Sequence, residues 1–166
     1  MANRPKDIGT RAETAVVRAA RTRGFPGADR LTLTGAHDRG DIGLAPGVIV
    51  EVKGGAAAKD ASDGMIASWL AETERERLHA GAAVAFLVTQ RAGVGPANAN
   101  RWWAWWRLGS LPDLAVAPLH DQLVIRMQLA DALQLLRGAG YGDPLDAGEA
   151  SGSPNVPGGV RVQEVA

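Results

Sequence analysis

The segment GDIGLAPGVIVEVKGG (residues 40–55) places three charged side chains among short apolar runs: Asp41, Glu51 and Lys53. A Pro-Gly turn between the two runs predicts a hairpin of two strands. Because side chains alternate between the two faces of a strand, Glu51 and Lys53 share one face. Asp41 begins the partner strand, so we expect the three charged groups to converge at one end of a sheet.

Such a convergence is typical of a metal site. Two adjacent carboxylates repel each other, and burial adds a desolvation cost. A divalent cation relieves both effects, and Mg²⁺ is held by one or two carboxylates together with water and substrate phosphate. A neighbouring lysine can position or help deprotonate a metal-bound water, or stabilise charge on the phosphate. The pattern therefore favours metal-assisted phosphodiester hydrolysis; the alternative is a surface charge cluster on an edge hairpin, because E-x-K also arises by chance.

The remaining chain predicts an α/β protein with a mixed sheet flanked by helices. Helical spacing of apolar residues, with Ser62 as an N-cap and Gly81 as a stop, predicts helices. They are expected at 10–23, 62–80 and 129–137. Alternating or continuous apolar runs predict strands. They are expected at 30–34, 41–44, 48–53, 82–89, 101–108 and 122–128.

Composition is consistent with one folded domain followed by a tail. The chain has 166 residues, of which 46% are hydrophobic. We expect a domain over residues 1–141 and a disordered tail over 142–166, which is rich in Gly, Pro, Asp and Ser. There is no cysteine, which excludes disulfides and zinc–thiolate sites and fits a reducing cytoplasm. We expect no membrane span and no secretory signal, since no apolar run approaches the roughly 20 residues that a span requires.

In its motifs the chain resembles the PD-(D/E)XK nuclease superfamily, and more narrowly the Holliday junction resolvase-like endonucleases of archaea and of phages of actinobacteria. Four segments carry the resemblance, in order. They are GTRAETAVVRAARTRGF (9–25), HDRGDIGL (37–44), VIVEVKGG (48–55) and SWLAETERERLHAGAAVAFLVTQRAG (68–93). The resemblance implies a restriction-endonuclease-like core and a Mg²⁺- or Mn²⁺-dependent endonuclease that cuts Holliday junctions or other branched DNA in recombination or repair.

The resemblance also implies a role for each matched residue. Asp41 and Glu51 would hold the metal, with the backbone carbonyl of Val52 as a further ligand. Lys53 would act on the attacking water. Glu13, from the first helix, would complete the acidic site directly or through water, although an acid in a first helical turn also stabilises the helix dipole.

Basic residues near these motifs are candidate phosphate contacts. They are Arg11, Arg39, Lys59 and Arg91, the last standing after the buried strand where the family often has a basic residue. Because paired cuts across a junction need two active sites, we expect a C2 homodimer acting in the cytoplasm of a bacterial host. Two alternatives remain: a restriction-like or repair nuclease on duplex or nicked DNA, and a DNA-binding module without catalysis.

Two further patterns have simpler interpretations. Alternation along residues 101–108 places Trp102 and Trp106 on one face of a strand and Trp103 and Trp105 on the other. We expect these tryptophans to form core or dimer contacts rather than to stack on bases. The run ETERER (residues 72–77) has opposite charges at helical spacing, which predicts a solvated, salt-bridged helix face.

Overall fold

A computed structural model of the chain describes residues 4–31, 40–111 and 122–146. The helices and strands follow one another in this order: α1 Arg4–Arg21, β1 Asp29–Arg30, β2 Ile42–Ala45, β3 Val48–Lys53, α2 Gly55–Lys59, α3 Asp63–Ala80, β4 Val84–Thr89, β5 Trp103–Arg107, β6 Val124–Gln128 and α4 Leu129–Gly138. Two short 3₁₀ helices, Pro96–Arg101 and Leu108–Ser110, precede and follow β5.

The six strands form one mixed sheet in which the spatial order of the strands equals their order in the chain. β3 and β4 are parallel and are connected through α2 and α3, as a parallel pair requires a crossover. The other four neighbouring pairs are antiparallel. The predicted α/β class, with a mixed sheet flanked by helices, is confirmed.

Side-chain alternation along β3 divides its residues between two layers. Val50 and Val52 lie in the main core together with residues of α1 and α4, whereas Ile49 belongs to a separate cluster on the other side. Glu51 and Lys53 share the face of Ile49, which is the face that α3 covers. The four largest fully buried side chains of the main core are Trp102, Trp106, Phe25 and Phe86.

Helix α3 begins and ends as the sequence predicts. The Ser62 hydroxyl accepts a hydrogen bond from the backbone N–H of Met65 at 3.3 Å, and Gly81 adopts the left-handed conformation at φ 62°. On its inner side, Ile66 and Leu70 pack against Leu87 of β4. These contacts orient α3 across β3 and β4, so the helix carries its side chains to the end of the hairpin.

The Gly54-Gly55 pair that ends β3 is a point of close packing, and it is followed by a helix that the sequence interpretation missed. A β-carbon at Gly54 would lie only 2.7 Å from the β-carbon of Ala12 in α1. Gly55 has φ +81°, a conformation that other residues rarely adopt, and α2 begins there. The two glycines therefore let α1 approach the end of β3, where the charged residues are located.

Several boundaries differ from the predicted ones. Helix α1 begins at Arg4 rather than at residue 10, because Pro5 in the first turn is compatible with a helix. Strand β1 has only two residues, and the rest of the predicted strand 30–34 beyond Leu31 lies outside the described residues. Strand β6 begins at Val124 rather than at residue 122.

Contacts with the folded domain continue into the first residues of the predicted tail. The backbone N–H of Asp143 donates to the carbonyl of Gly24 at 2.7 Å, and the Arg137 side chain donates to the carbonyl of Asp143 at 2.9 Å. Residues 147–166 of that tail lie outside the described residues. Within the described ranges, no helix is both long enough and apolar enough to cross a membrane.

Candidate functional site

Asp41 lies immediately before β2 and binds the end of β3 through both its backbone and its side chain. Its N–H donates to the carbonyl of Val50 at 3.1 Å, and its Oδ2 accepts from the N–H of Val52 at 2.8 Å. The carboxylate thus continues the hydrogen-bonding pattern of the hairpin by one step. In an antiparallel ladder the N–H and C=O of one residue point to the same neighbouring strand. Since the N–H of Val52 points to Asp41, its carbonyl points toward the side of β3 where Asp41 lies.

Glu51 and Lys53 form an ion pair on the α3 face of the sheet. The Lys53 Nζ atom lies 2.7 Å from Oε1 of Glu51 and 3.0 Å from Oε2 of Glu72, which comes from α3. Glu51 is only 5% exposed. The charge of Glu51 also acts on Asp41. The structure therefore brings Asp41, Glu51 and Lys53 together at one end of the β2–β3 hairpin.

Helix α3 adds two carboxylates that the sequence interpretation did not assign to the site. Carboxylate oxygens of Glu51, Glu72 and Glu76 lie within 4.8 Å of one another. Glu76 is 4% exposed and hydrogen-bonds to Glu51. A carboxyl–carboxyl hydrogen bond requires a shared proton, and a cation could take its place. The cluster has three acids around a single lysine, so it favours a further positive charge.

The prediction of a solvated face for residues 72–77 is wrong for Glu76 and holds for the Glu74–Arg77 pair. The guanidinium of Arg77 lies 2.8 Å from Glu74, and both side chains are partly exposed. The spacing from Trp69 to Thr73 to Glu76 is i, i+4, i+7, which is the period of a buried helix face. That spacing was the available signal for Glu76, because it places Glu76 on the same helix face as Trp69 and Thr73.

The environment of the hairpin end disfavours ionisation of both of its carboxyl groups, Asp41 and Glu51. Burial, followed by the nearby charge of Glu51, raises the pKa of Asp41 from 3.8 to about 7. Burial also raises the pKa of Glu51, and the attraction of Lys53 opposes this rise only in part. Burial lowers the pKa of Lys53, but Glu51 and Glu72 raise it more, so the ammonium group stays protonated.

Glu13 reaches the edge of this cluster from α1, where it is paired with an arginine. Its Oε2 lies 2.5 Å from Nε of Arg30, and its charge contributes to the raised pKa of Asp41. Arg30 is in β1, opposite Ile42 and therefore next to Asp41 in the sheet. Arg30 is a further site residue that sequence reasoning missed; the signal was its place in a predicted strand that neighbours the hairpin.

The candidate phosphate contacts have different surroundings. Arg11 on α1 and Lys59 on α2 are exposed. The guanidinium of Arg91, after β4, lies 4.2 Å from the ring centroid of Trp103. Arg39 lies outside the described residues.

Two hollows of the described surface lie away from the hairpin end. One of about 550 Å³ is bounded by the end of α1 and by α4, and one of about 780 Å³ is bounded by the β2–β3 turn and Tyr141. Neither is lined by Asp41, Glu51 or Lys53, and neither gathers acids and a lysine as the hairpin end does. The chemistry of the side chains, rather than the size of a cavity, therefore identifies the candidate site.

No protein-family model, no curated protein and no solved structure matches the chain.

Proposed function

We propose that this chain is a metal-dependent endodeoxyribonuclease of the PD-(D/E)XK class, with a restriction-endonuclease-like core, that cuts Holliday junctions or other branched DNA. The supporting observation is that Asp41 and Glu51, two desolvated carboxylates whose charges interact, stand beside the ammonium group of Lys53. Such groups cost free energy in a purely structural role, because each carboxylate loses its hydration beside another negative charge.

The donor atoms fit Mg²⁺ or Mn²⁺. Asp41 and Glu51 offer carboxylate oxygens and Val52 offers a backbone carbonyl, which are hard ligands of the kind these cations prefer. When bound, the cation would neutralise the two acids, polarise a phosphate and make a bound water more acidic. Glu72 and Glu76 place further carboxylate oxygens within 4.8 Å of Glu51 and would offer additional ligands to the cation.

Lys53 is assigned to positioning and charge stabilisation. Because its ammonium group stays protonated, it donates hydrogen bonds and does not accept a proton in the resting enzyme. Held between Glu51 and Glu72, it would orient the attacking water or stabilise negative charge as it develops on the phosphate. Glu13 and Arg30, which lie at the edge of the cluster, would set the local charge at the entry to the site.

The test is cleavage of a labelled four-way junction and of a linear duplex of matching sequence, with Mg²⁺ or with EDTA. The wild type is compared with Asp41→Asn and with Asp131→Asn, a matched acid-to-amide change on the exposed surface of α4. We expect paired cuts in the junction, lost with EDTA and in Asp41→Asn and retained in Asp131→Asn. A C2 homodimer is expected to make those cuts, and sedimentation equilibrium measures its mass.

Other results would point to the alternatives. Equal cutting of junction and duplex would support the proposed nuclease activity but not the junction specificity. The substrate would then be duplex or nicked DNA. Binding without cutting under either metal, or full activity in Asp41→Asn, would favour a DNA-binding module without catalysis.

A further inference from the structure

A row of tryptophan and arginine side chains continues the candidate site across the α3 face of the sheet. Lys53 is paired with Thr89 in β4, and Thr89 is paired with Trp103 in β5. Directly paired residues point to the same face, so Trp103 lies on the face of Lys53, two strands away. Two strand spacings amount to about 10 Å. One or two nucleotides of a DNA strand can span this distance from a phosphate bound at the candidate site.

Two guanidinium groups lie over this tryptophan. The centre of the Arg91 guanidinium is 4.2 Å from the ring centroid of Trp103, and that of Arg126 is 4.3 Å away. Arg126 also lies 5.3 Å from the ring centroid of Trp105. We call these four residues, Arg91, Trp103, Trp105 and Arg126, the Trp–Arg platform. Such cation–π contacts hold both the rings and the cations in defined positions.

The platform is rigid and partly open to solvent. The indole N–H of Trp105 donates to the hydroxyl of Thr89 at 2.8 Å, which fixes the orientation of its ring. Trp103 and Trp105 are half-buried and Arg126 is exposed, whereas Trp102 and Trp106 on the opposite face are fully buried. The core prediction is therefore correct for Trp102 and Trp106, and in part for Trp105, which packs against the buried cluster of Ile66, Leu70 and Leu87. Trp103 and Trp105 both remain partly exposed.

A hollow of about 300 Å³ adjoins the platform beside Trp105. Its walls are Trp105 and Val124 from the sheet and Ile66 and Asp63 from the start of α3. Val124 is 46% exposed. The hollow has the volume of the smaller ligand sites in proteins, an aromatic wall and one carboxylate that can accept hydrogen bonds. A planar base with a ring N–H or amino donor matches these features.

We propose that the Trp–Arg platform binds unpaired DNA bases next to the cut site. The bases would stack on the guanidinium planes that lie over Trp103 and on the open parts of the two rings, and the arginines would also contact phosphates. This inference rests on the proposed function and specifies its substrate: branched DNA that exposes a few unpaired nucleotides. Stacking on aromatic rings and guanidinium planes is the common means of holding unpaired bases, and the positive charge suits a phosphate backbone. In a C2 dimer centred here, Arg126 would face its own copy, so charge complementarity favours nucleic acid over a second chain.

The experiment measures binding in EDTA, so that cutting does not interfere. Fluorescein-labelled oligothymidylate and a duplex of the same length are titrated with wild type, Trp103→Leu, Arg126→Glu and Arg101→Glu. Arg101 is an exposed arginine just before β5 and is the control for charge reversal. We expect Trp103→Leu and Arg126→Glu to weaken oligothymidylate binding roughly 5- to 100-fold, the range of one or two stacked bases. Duplex binding by Trp103→Leu should change less than twofold.

Tryptophan emission gives a second readout on the same samples. Oligothymidylate should quench the emission of the wild type and should quench Trp103→Leu less. Arg126→Glu serves if Trp103→Leu does not fold, because Arg126 is exposed. Unchanged oligothymidylate affinity in Arg126→Glu would overturn the proposal, as would an equal loss in Arg126→Glu and Arg101→Glu. A fall in mass of Trp103→Leu in sedimentation equilibrium would assign the platform to a contact between copies of the chain and would also overturn it.

Cleavage of branched DNA by the wild type with Mg²⁺ is measured in parallel. If the wild type cuts branched DNA and the platform variants bind as the wild type does, the proposed base-binding role of the platform is overturned and the proposed nuclease activity stands. Platform-dependent binding without any cutting by the wild type would overturn the nuclease and leave the platform as a site for unpaired DNA.

Discussion

Asp41 combines a structural and a chemical role at one carboxylate. Its Oδ2 accepts the N–H of Val52, as a backbone carbonyl of a longer β2 would, yet its charge is desolvated and lies near that of Glu51. An amide can accept the same hydrogen bond without the charge. Asp41→Asn therefore separates the hydrogen bond, which it keeps, from the metal ligand, which it loses.

The raised pKa of Asp41 sets the direction of a pH effect on the metal-free protein. The carboxyl has a pKa of about 7 in the fold and an ordinary value of 3.8 otherwise, so the fold binds its proton more tightly. The stability that this tighter proton binding adds to the fold is fully present below pH 3.8. It is lost as the pH rises through the folded-state pKa of about 7. In EDTA, we expect the Tm to fall between pH 5 and pH 8 and to fall less in Asp41→Asn. Asp131→Asn should follow the wild type, and identical slopes in all three proteins would contradict the expectation.

Glu72 and Glu74 provide a matched pair of variants on α3. Glu72 holds Lys53 at 3.0 Å, whereas Glu74, two residues along, pairs with Arg77. We expect Glu72→Gln to lower the cleavage rate by roughly 10- to 100-fold, as is typical when a residue that orients a site residue is removed. Glu74→Gln should cut at the wild-type rate. Single-turnover rates measure both, and equal effects of the two changes would exclude the positioning role of Glu72.

At the scale of secondary-structure elements, local signals predicted most of the framework and tertiary contacts decided the rest. Strand β3 and the cap residues of α3 agree with the sequence because their signals, an apolar run and the Ser62 and Gly81 ends, are local. The helical spacing of Trp69, Thr73 and Glu76 indicates that they share a face of α3, but which face meets β3 is decided by tertiary packing. The pairing of Glu13 with Arg30 likewise depends on the packing of α1 beside β1.

The Gly54–Ala12 contact gives a prediction about elements. A methyl group at Gly54 would meet the β-carbon of Ala12 at 2.7 Å, so α1 must move away from the end of β3. We expect Gly54→Ala to destabilise the fold by about 1–3 kcal/mol, the usual range for overpacking. Gly27→Ala is the control, because no heavy atom lies within 4 Å of the added carbon. Urea denaturation measures both, and equal midpoints would show that α1 can adjust without cost.

At the scale of the whole molecule, a bound metal should act as a stabilising ligand. A cation that binds the fold and not the unfolded chain adds RT ln(1 + [L]/Kd), about 2.7 kcal/mol at 100 times Kd. We expect Mg²⁺ to raise the Tm in a concentration-dependent manner, more at pH 8 than at pH 6 because deprotonated carboxylates bind it better. Differential scanning fluorimetry measures this shift. It should disappear in Asp41→Asn and persist in Glu74→Gln; a shift of equal size in both variants would place the metal elsewhere.

The agreement between spatial strand order and chain order has a kinetic consequence. Each strand of the described sheet pairs with the strand that immediately precedes it in the chain, and the longest interval between paired neighbours is the crossover that contains α3. A nascent chain can therefore add each strand to an existing edge as it emerges, without waiting for a distant segment. Loop-closure entropy stays small at every step, so the sheet can form progressively during synthesis. The Asp41–Glu51 pair, which belongs to an early hairpin, would then be in place before the platform strands β5 and β6 are made.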